Sequence, residues 1–218
     1  MPGIVSALEV QKRNKERVNV FLDGEYAFSL AMIEAARLHK GQVLSDEEIA
    51  DLQARDAIEW ATDLAVRYLS YRPRSIHEIR QHLTRKELTP QAVDAALDRL
   101  EKLGYVDDLA FARFWVGNRD DFRPKGPLAL RQELREKGIS KSISDQAIGE
   151  LDFQDAAYRA AYKQAARYRD LDRRAFQQKM YPFLARRGFL AETVRDVLDR
   201  LMDELEVSAG DPFDDDIA

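Results

Sequence analysis

The 218-residue chain contains no cysteine. That excludes disulfides, thiolate metal ligands and cysteine nucleophiles, and it fits a reducing compartment. Histidine is almost as scarce, with only His39, His77 and His82. His77 and His82 are five residues apart, which does not place two ligands on one helix face, so all three read as solvated surface groups. No apolar run reaches the length of a membrane span, and no signal peptide follows Met1-Pro2-Gly3. A soluble, cytoplasmic protein without membrane contact is expected. There is also no glycine-rich phosphate loop and no nucleophile elbow. The carboxylate pairs Asp107-Asp108 and Asp120-Asp121 are the nearest thing to a catalytic constellation, and the first stands where a helix should begin, which suits capping. The expectation is a non-enzyme with no catalytic residue, no metal site and no cofactor.

Charge is plentiful, at 33% of residues, and the formal net charge of −5 hides its distribution. Residues 206–218 carry Glu206, Asp211, Asp214, Asp215 and Asp216 and no base. Residues 1–56 hold 7 bases against 10 acids, and residues 57–205 hold 27 against 24. The central region is therefore mildly basic and dense in both signs. A protein that coats bare DNA would be more basic; one that meets both nucleic acid and another protein fits this balance.

The pattern that organises the chain is a repeated phrase. Leu83-Thr84-Arg85-Lys86-Glu87-Leu88-Thr89 returns 51 residues later as Leu134-Arg135-Glu136-Lys137-Gly138-Ile139-Ser140, and 50 residues after that as Leu184-Ala185-Arg186-Arg187-Gly188-Phe189-Leu190. Such a period means one supersecondary unit used three times. Each phrase reads as a helix end: a core Leu, a basic last turn, Gly past the C-cap in two copies, then an apolar residue. The same offsets align Leu97, Ile148 and Leu198, then Leu100, Leu151 and Leu201, so the repeat includes the following helix. Ahead of it, Ser75 with Glu78 caps a helix carrying Ile79 and Leu83, and Thr89-Pro90 opens one with the face Val93, Ala96, Leu97, Leu100 and Leu103. The first helices agree less well, with Trp60 and Leu64 lying 51 residues before Phe111 and Trp115; the aromatics Trp60, Trp115, Phe111 and Phe114 lie on helical faces, with core packing as the default over base stacking. Tyr71, between Arg67 and Arg72, reads equally as an exposed contact.

The first 56 residues differ. Ile4–Val10 alternates, Val18–Leu22 is strand-like, Asp23-Gly24 signals a hairpin and Glu25–Leu30 returns, so a three-stranded antiparallel meander is expected. A short helix follows around Met32–Leu38, and Ser45 with Glu48 forms a capping box for a helix over 46–55. The expected organisation is a β-meander with short helices over 1–56, three-helix repeats over 57–106, 107–153 and 154–205, and a disordered acidic tail over 206–218. The fold class is mainly α: tandem three-helix repeats in an elongated curved array with a small N-terminal antiparallel β segment.

An array of small helical units suits binding more than catalysis. The turn between first and second helices is basic in every unit: Arg72 and Arg74, then Arg119, Arg123 and Lys125, then Arg167, Arg169, Arg173 and Arg174. Cations at helix turns reach phosphates without reading bases, giving affinity without sequence specificity. Pairing with neighbouring acids such as Asp120, Asp121, Asp170 and Asp172 is the alternative, but placement that follows the repeat favours binding.

These residues resemble the RecX family of bacterial regulatory proteins. The resemblance is strongest over Leu97-Asp98-Arg99-Leu100-Glu101-Lys102-Leu103-Gly104-Tyr105-Val106-Asp107-Asp108-Leu109-Ala110-Phe111-Ala112, then Arg119, Pro124-Lys125-Gly126-Pro127 and Glu133-Leu134-Arg135-Glu136-Lys137-Gly138-Ile139. It covers about residues 57–205, and the N-terminal segment resembles the extension of longer members. The third unit departs from the second, with Phe183 in place of Glu133. The resemblance implies a regulator of RecA in recombination, DNA repair and the SOS response, one that binds the RecA–DNA filament and usually inhibits it. The implied partners are the RecA filament and single- or double-stranded DNA, held weakly and without sequence specificity; the protein itself is expected to be a monomer. A stand-alone, non-sequence-specific nucleic-acid-binding protein remains the alternative.

Overall fold

The Asp23-Gly24 pair turns a two-residue hairpin, with φ of 51° at Asp23 and 92° at Gly24, between β2 (Arg17–Leu22) and β3 (Glu25–Ala31). Positive φ at both turn positions matches the twist of the flanking strands. In the computed structural model, which describes residues 2–168 and 171–209, β1 (Gly3–Val10) completes the meander, and a fourth strand, β4 (Val43–Leu44), pairs antiparallel with Gly3 and Ile4. The sheet order is β3-β2-β1-β4. A strand of two residues carries no alternation, which is why it is invisible in sequence. Nor does simple alternation hold along β1. A bulge between Val5 and Ala7 shifts its register against β2, so Val5 and Leu8 both face the core while Ile4 is exposed. Ser6 occupies the bulge, donating to the Phe21 carbonyl and accepting from the Gly24 amide.

The chain forms two compact units, Met1–Asp107 and Asp108–Ala218. In the first, α1 (Met32–Ala35) leads to α2 (Asp46–Leu69). The Ser45–Glu48 capping box is present with both of its hydrogen bonds. The helix then continues for 24 residues, straight through position 56 where a boundary is expected, because Arg55-Asp56-Ala57-Ile58 contains no breaker. One helix thus serves both the sheet and the first repeat. Asp56, buried near its middle, accepts from the Ala31 amide at 2.6 Å and from Arg17 at 2.7 Å, tying β2 and β3 to it. The second half of α2, α3 (Ile76–Thr84) and α4 (Pro90–Lys102) make repeat 1, around Ala61, Ala65, Ile79, Leu83, Val93, Leu97 and Leu100. Leu103, expected on this face, is 60% exposed because it is the C-cap residue, beyond the last helical turn.

The second unit contains two repeats: α5 (Asp108–Phe122), α6 (Pro127–Glu136) and α7 (Lys141–Ile148), then α8 (Phe153–Ala165), α9 (Arg173–Arg186) and α10 (Ala191–Ala209). Their cores hold Leu130, Leu134 and Ile148 in one case, and Met180, Leu184 and Leu198 in the other; Phe153 packs against both. Helix α10 reaches Ala209, and residues 210–218, most of the expected acidic tail, lie outside the described residues. The repeats share detail beyond the core. Arg80 pairs with Asp94 in repeat 1, and Arg131 with Asp145 at the same offsets in repeat 2.

The second helix of each repeat ends on a residue with positive φ at the same repeat position: Glu87 at 59°, Gly138 at 76° and Gly188 at 84°. In repeat 2 this makes a Schellman cap, with the Ile139 amide donating to the Leu134 carbonyl and Gly138 to Arg135. Gly126 has a different reason to be glycine. It is the N-cap of α6 with no side-chain cap, and its amide donates instead to the Arg187 carbonyl at 2.8 Å, while the Leu128 amide donates to Gly188 at 3.1 Å. A β-carbon at Gly126 would stand 2.2 Å from the Gly188 carbonyl. Repeat 3 therefore caps the N-terminus of α6 backbone to backbone.

Two substitutions test these backbone assignments. Glu87→Gly should stabilise the protein by up to about 1 kcal/mol, the left-handed penalty of roughly 1–2 kcal/mol less the entropy cost of glycine. Gly126→Ala should destabilise it by about 1–3 kcal/mol through overpacking. Urea denaturation of both variants checks the pair; equal, near-zero effects would contradict it.

Candidate nucleic-acid interface at the basic turns

The expected binding residues divide according to whether the fold supplies an acid. Arg72 grips both carboxylate oxygens of Glu78, at 3.0 and 3.2 Å, and donates to the Pro73 carbonyl. Arg74 lies 4.0 Å from the centre of the Tyr68 ring, against which His82 stacks at 4.1 Å. Arg119 and Lys125 both converge on Glu133, Arg119 at 2.9 Å. Trp115 donates its indole N–H to the same carboxylate at 2.8 Å and receives Arg119 and Lys137 over its ring. In repeat 3, Arg173 pairs with Asp203 and reaches Asp199 at 3.7 Å. Arg169 lies outside the described residues. Arg123, Arg167 and Arg174 are exposed and, among the described residues, have no acidic partner.

One position explains much of this arrangement. His82, Glu133 and Phe183 are equivalent in the three repeats, and each faces basic groups: His82 through the Tyr68–Arg74 stack, Glu133 as the shared counter-ion of its turn, and Phe183 as a ring under Arg187, the C-cap residue of α9, at 4.5 Å. Burial pushes the Glu133 carboxyl up, but the hydrogen bonds from Lys125, Arg119 and Trp115 outweigh it and hold the group below its ordinary value of 4.5. Burial, with the charges of Lys86, Arg74 and Arg85, pushes His82 below 6.5.

The remaining sequence candidates resolve simply. Asp120 carries Arg159, at 2.7 Å to its carboxylate and 2.8 Å to its carbonyl, which is a structural tie. Phe111 is core, while Phe114 is 44% and Tyr71 83% exposed. Among the described residues, no group of three His, Asp or Glu is placed to hold a metal, and no helix is long and apolar enough to cross a membrane. Sequence reasoning missed Arg187 as part of the site, treating it as one cation in a helix end. Its signal was positional: Lys86, Lys137 and Arg187 are equivalent, and Arg187 lies against the basic turn of repeat 2, donating to the Pro124 carbonyl.

Comparison with known proteins gives a consistent outcome. Four family models match in chain order: the Regulatory protein RecX N-terminal domain over 3–45, and the RecX first, second and third three-helix domains over 61–100, 107–148 and 150–198. The chain is 34% identical over 207 residues to the Regulatory protein RecX of Bacillus pumilus, covering 93% of this chain and 79% of that protein. A crystal structure of regulatory protein RecX superposes with a TM-score of 0.72 at 32% identity, covering 90% of this chain and 99% of the other. The crystal structure of RecX from Lactobacillus salivarius gives a TM-score of 0.61 at 25% identity, covering 70% and 99%.

The two shifted groups set a pH dependence of one sign. Each has a folded value below its unfolded one, so each contributes stability at higher pH that is lost on acidification. The His82 share should fade as pH falls below 6.5 and the Glu133 share below 4.5. Glu133→Gln should cost about 1–3 kcal/mol at neutral pH, because Arg119 and Lys125 lose a charged acceptor, and should flatten the acid limb. Melting temperature against pH for parent and variant reads both effects; an unchanged acid limb would contradict the role of Glu133.

Proposed function

This chain belongs to the RecX family of regulatory proteins, and on that premise we propose that it binds the RecA–DNA filament and restrains RecA in recombination and DNA repair. The observation that carries the reading is the repeat itself: three helical units, each presenting a basic turn at the same position, of which only some cations are neutralised internally. Turns of this kind contact phosphate or acidic protein surface along a repeating partner. The protein works without catalysis, by occupying the filament as a cytoplasmic monomer, and its own contribution from nucleic acid is weak and independent of sequence.

The internal pairs refine which residues do this. Arg72 and Lys125 are engaged with carboxylates that are largely buried, so removing them perturbs the fold as well as the charge. Of the expected residues, Arg123, Arg167 and Arg174 are exposed and, among the described residues, have no acidic partner, so they are the ones offered to a partner. The direct test is RecA ATP hydrolysis on single-stranded DNA with increasing amounts of this protein. Hydrolysis should fall, and the triple variant Arg123→Ala, Arg167→Ala, Arg174→Ala should need at least about tenfold more protein for the same effect, since each lost phosphate contact weakens binding. Unaltered hydrolysis at saturating protein would overturn the proposal. Tight, salt-steep binding to bare DNA without any effect on RecA would favour a stand-alone nucleic-acid-binding protein.

A further inference from the structure

Equivalent arginines occupy one position in the three basic turns: Arg72, Arg123 and Arg173. Arg72 is held by Glu78, and Arg173 by Asp199 and Asp203. Arg123 has no acid among the described residues, and the reason is visible in the fold. The residue equivalent to Glu78 is Ala129, which has no carboxylate to offer, and it lies against Gly188: a β-carbon at Gly188 would lie 2.4 Å from the Ala129 nitrogen and 2.6 Å from its β-carbon. Repeat 2 thus lacks the carboxylate that repeat 1 has at this position, and its contact with repeat 3 brings in a second cation. Arg187 donates to the Pro124 carbonyl at 3.1 Å and lies over Phe183. It is half-buried and, among the described residues, also has no carboxylate. Burial, with the charge of Arg123 beside it, holds its guanidinium below the ordinary range. Two like charges fixed together without an acid are a preformed anion site.

These groups line a cleft of about 110 Å³ with Lys163, Gln164 and Phe122. At its edge Phe122, the last residue of α5, is 78% exposed and adjoins Arg123 in the chain. We propose that this cleft is a single-strand seat, in which Arg123, Arg187 and Lys163 hold one backbone phosphate and the neighbouring base stacks on Phe122. It rests on the nucleic-acid half of the proposed function and gives that half a place and a strand preference. A solvated aromatic ring beside unpaired cations matches an unstacked base, whereas a duplex keeps its base faces covered. An acidic protein segment would satisfy the cations but has no use for the exposed ring.

The test measures binding of the full chain to oligothymidylate, to the same backbone without bases, and to a duplex, at two salt concentrations. Phe122→Leu and Arg123→Ala both change exposed side chains, and melting temperature verifies their folding. Phe122→Leu should weaken oligothymidylate binding about tenfold with unchanged salt slope, and should leave the base-free strand and the duplex unaffected. Arg123→Ala should weaken both single strands and reduce the salt slope by about 0.7. The proposal is overturned by a parent that does not bind oligothymidylate at low salt, by a Phe122→Leu variant that binds it like the parent, or by equal losses on single strand and duplex. Variants that bind oligothymidylate normally but lose control of RecA hydrolysis would assign the cleft to acidic protein instead, overturning this inference while leaving the proposed function standing.

Discussion

The backbone contact between Gly126 and Gly188 is the constraint on which the second unit depends. A three-helix repeat of about 50 residues buries too little surface to stand securely alone, and repeats of this kind are stabilised through their neighbours. Here the neighbour does more than cover an apolar face. Repeat 3 presents the carbonyls of Arg187 and Gly188 to the uncapped amides at the start of α6, so one repeat completes the hydrogen bonding of the repeat before it. The approach is close enough that neither position tolerates a β-carbon. Ala129, beside Gly188, stands where repeat 1 has Glu78, so Arg123 lacks the carboxylate that its equivalent Arg72 has.

The same economy appears at the position shared by His82, Glu133 and Phe183. Each repeat must place several cations around its second helix without burying them unpaired. Repeat 1 spreads the charge of Arg74 over stacked rings, repeat 2 concentrates Arg119 and Lys125 on one carboxylate, and repeat 3 lays Arg187, at the end of its second helix, on an aromatic face. The scaffold repeats while the chemistry of the turn varies, so the three turns are not equivalent surfaces for a partner. Repeat 2 holds both an internally satisfied pair, Arg119 and Lys125, and a cation, Arg123, with no acid among the described residues.

Much of the fold was legible because it is local. The Ser45–Glu48 box, the Thr89-Pro90 helix start and the Asp23-Gly24 hairpin each depend on residues within a turn or two of one another, and the period of Leu83, Leu134 and Leu184 is one such local pattern written three times. What escaped depends on partners distant in sequence. The bulge that turns both Val5 and Leu8 inward is set by pairing with β2. The continuity of α2 through Asp56 could have been read from the lack of a breaker, but the change in pattern from strand to repeat obscured it. The division of the basic turns into paired and free cations was hidden most deeply, since it depends on which carboxylate faces which turn. Even so, the substitution of Ala129 for Glu78 at the repeat offset was present in the sequence and pointed to Arg123.

The central claim is that the cations left free by the fold, rather than every basic turn, meet the partner. Hydrogen exchange of the full chain, alone and bound to RecA filaments on single-stranded DNA, tests it directly. The account predicts new protection at the 122–125 turn and around residues 186–189, with little change at the 72–74 turn, whose Arg72 is already engaged by Glu78. Protection concentrated at the 72–74 turn with the 122–125 turn unchanged would contradict it.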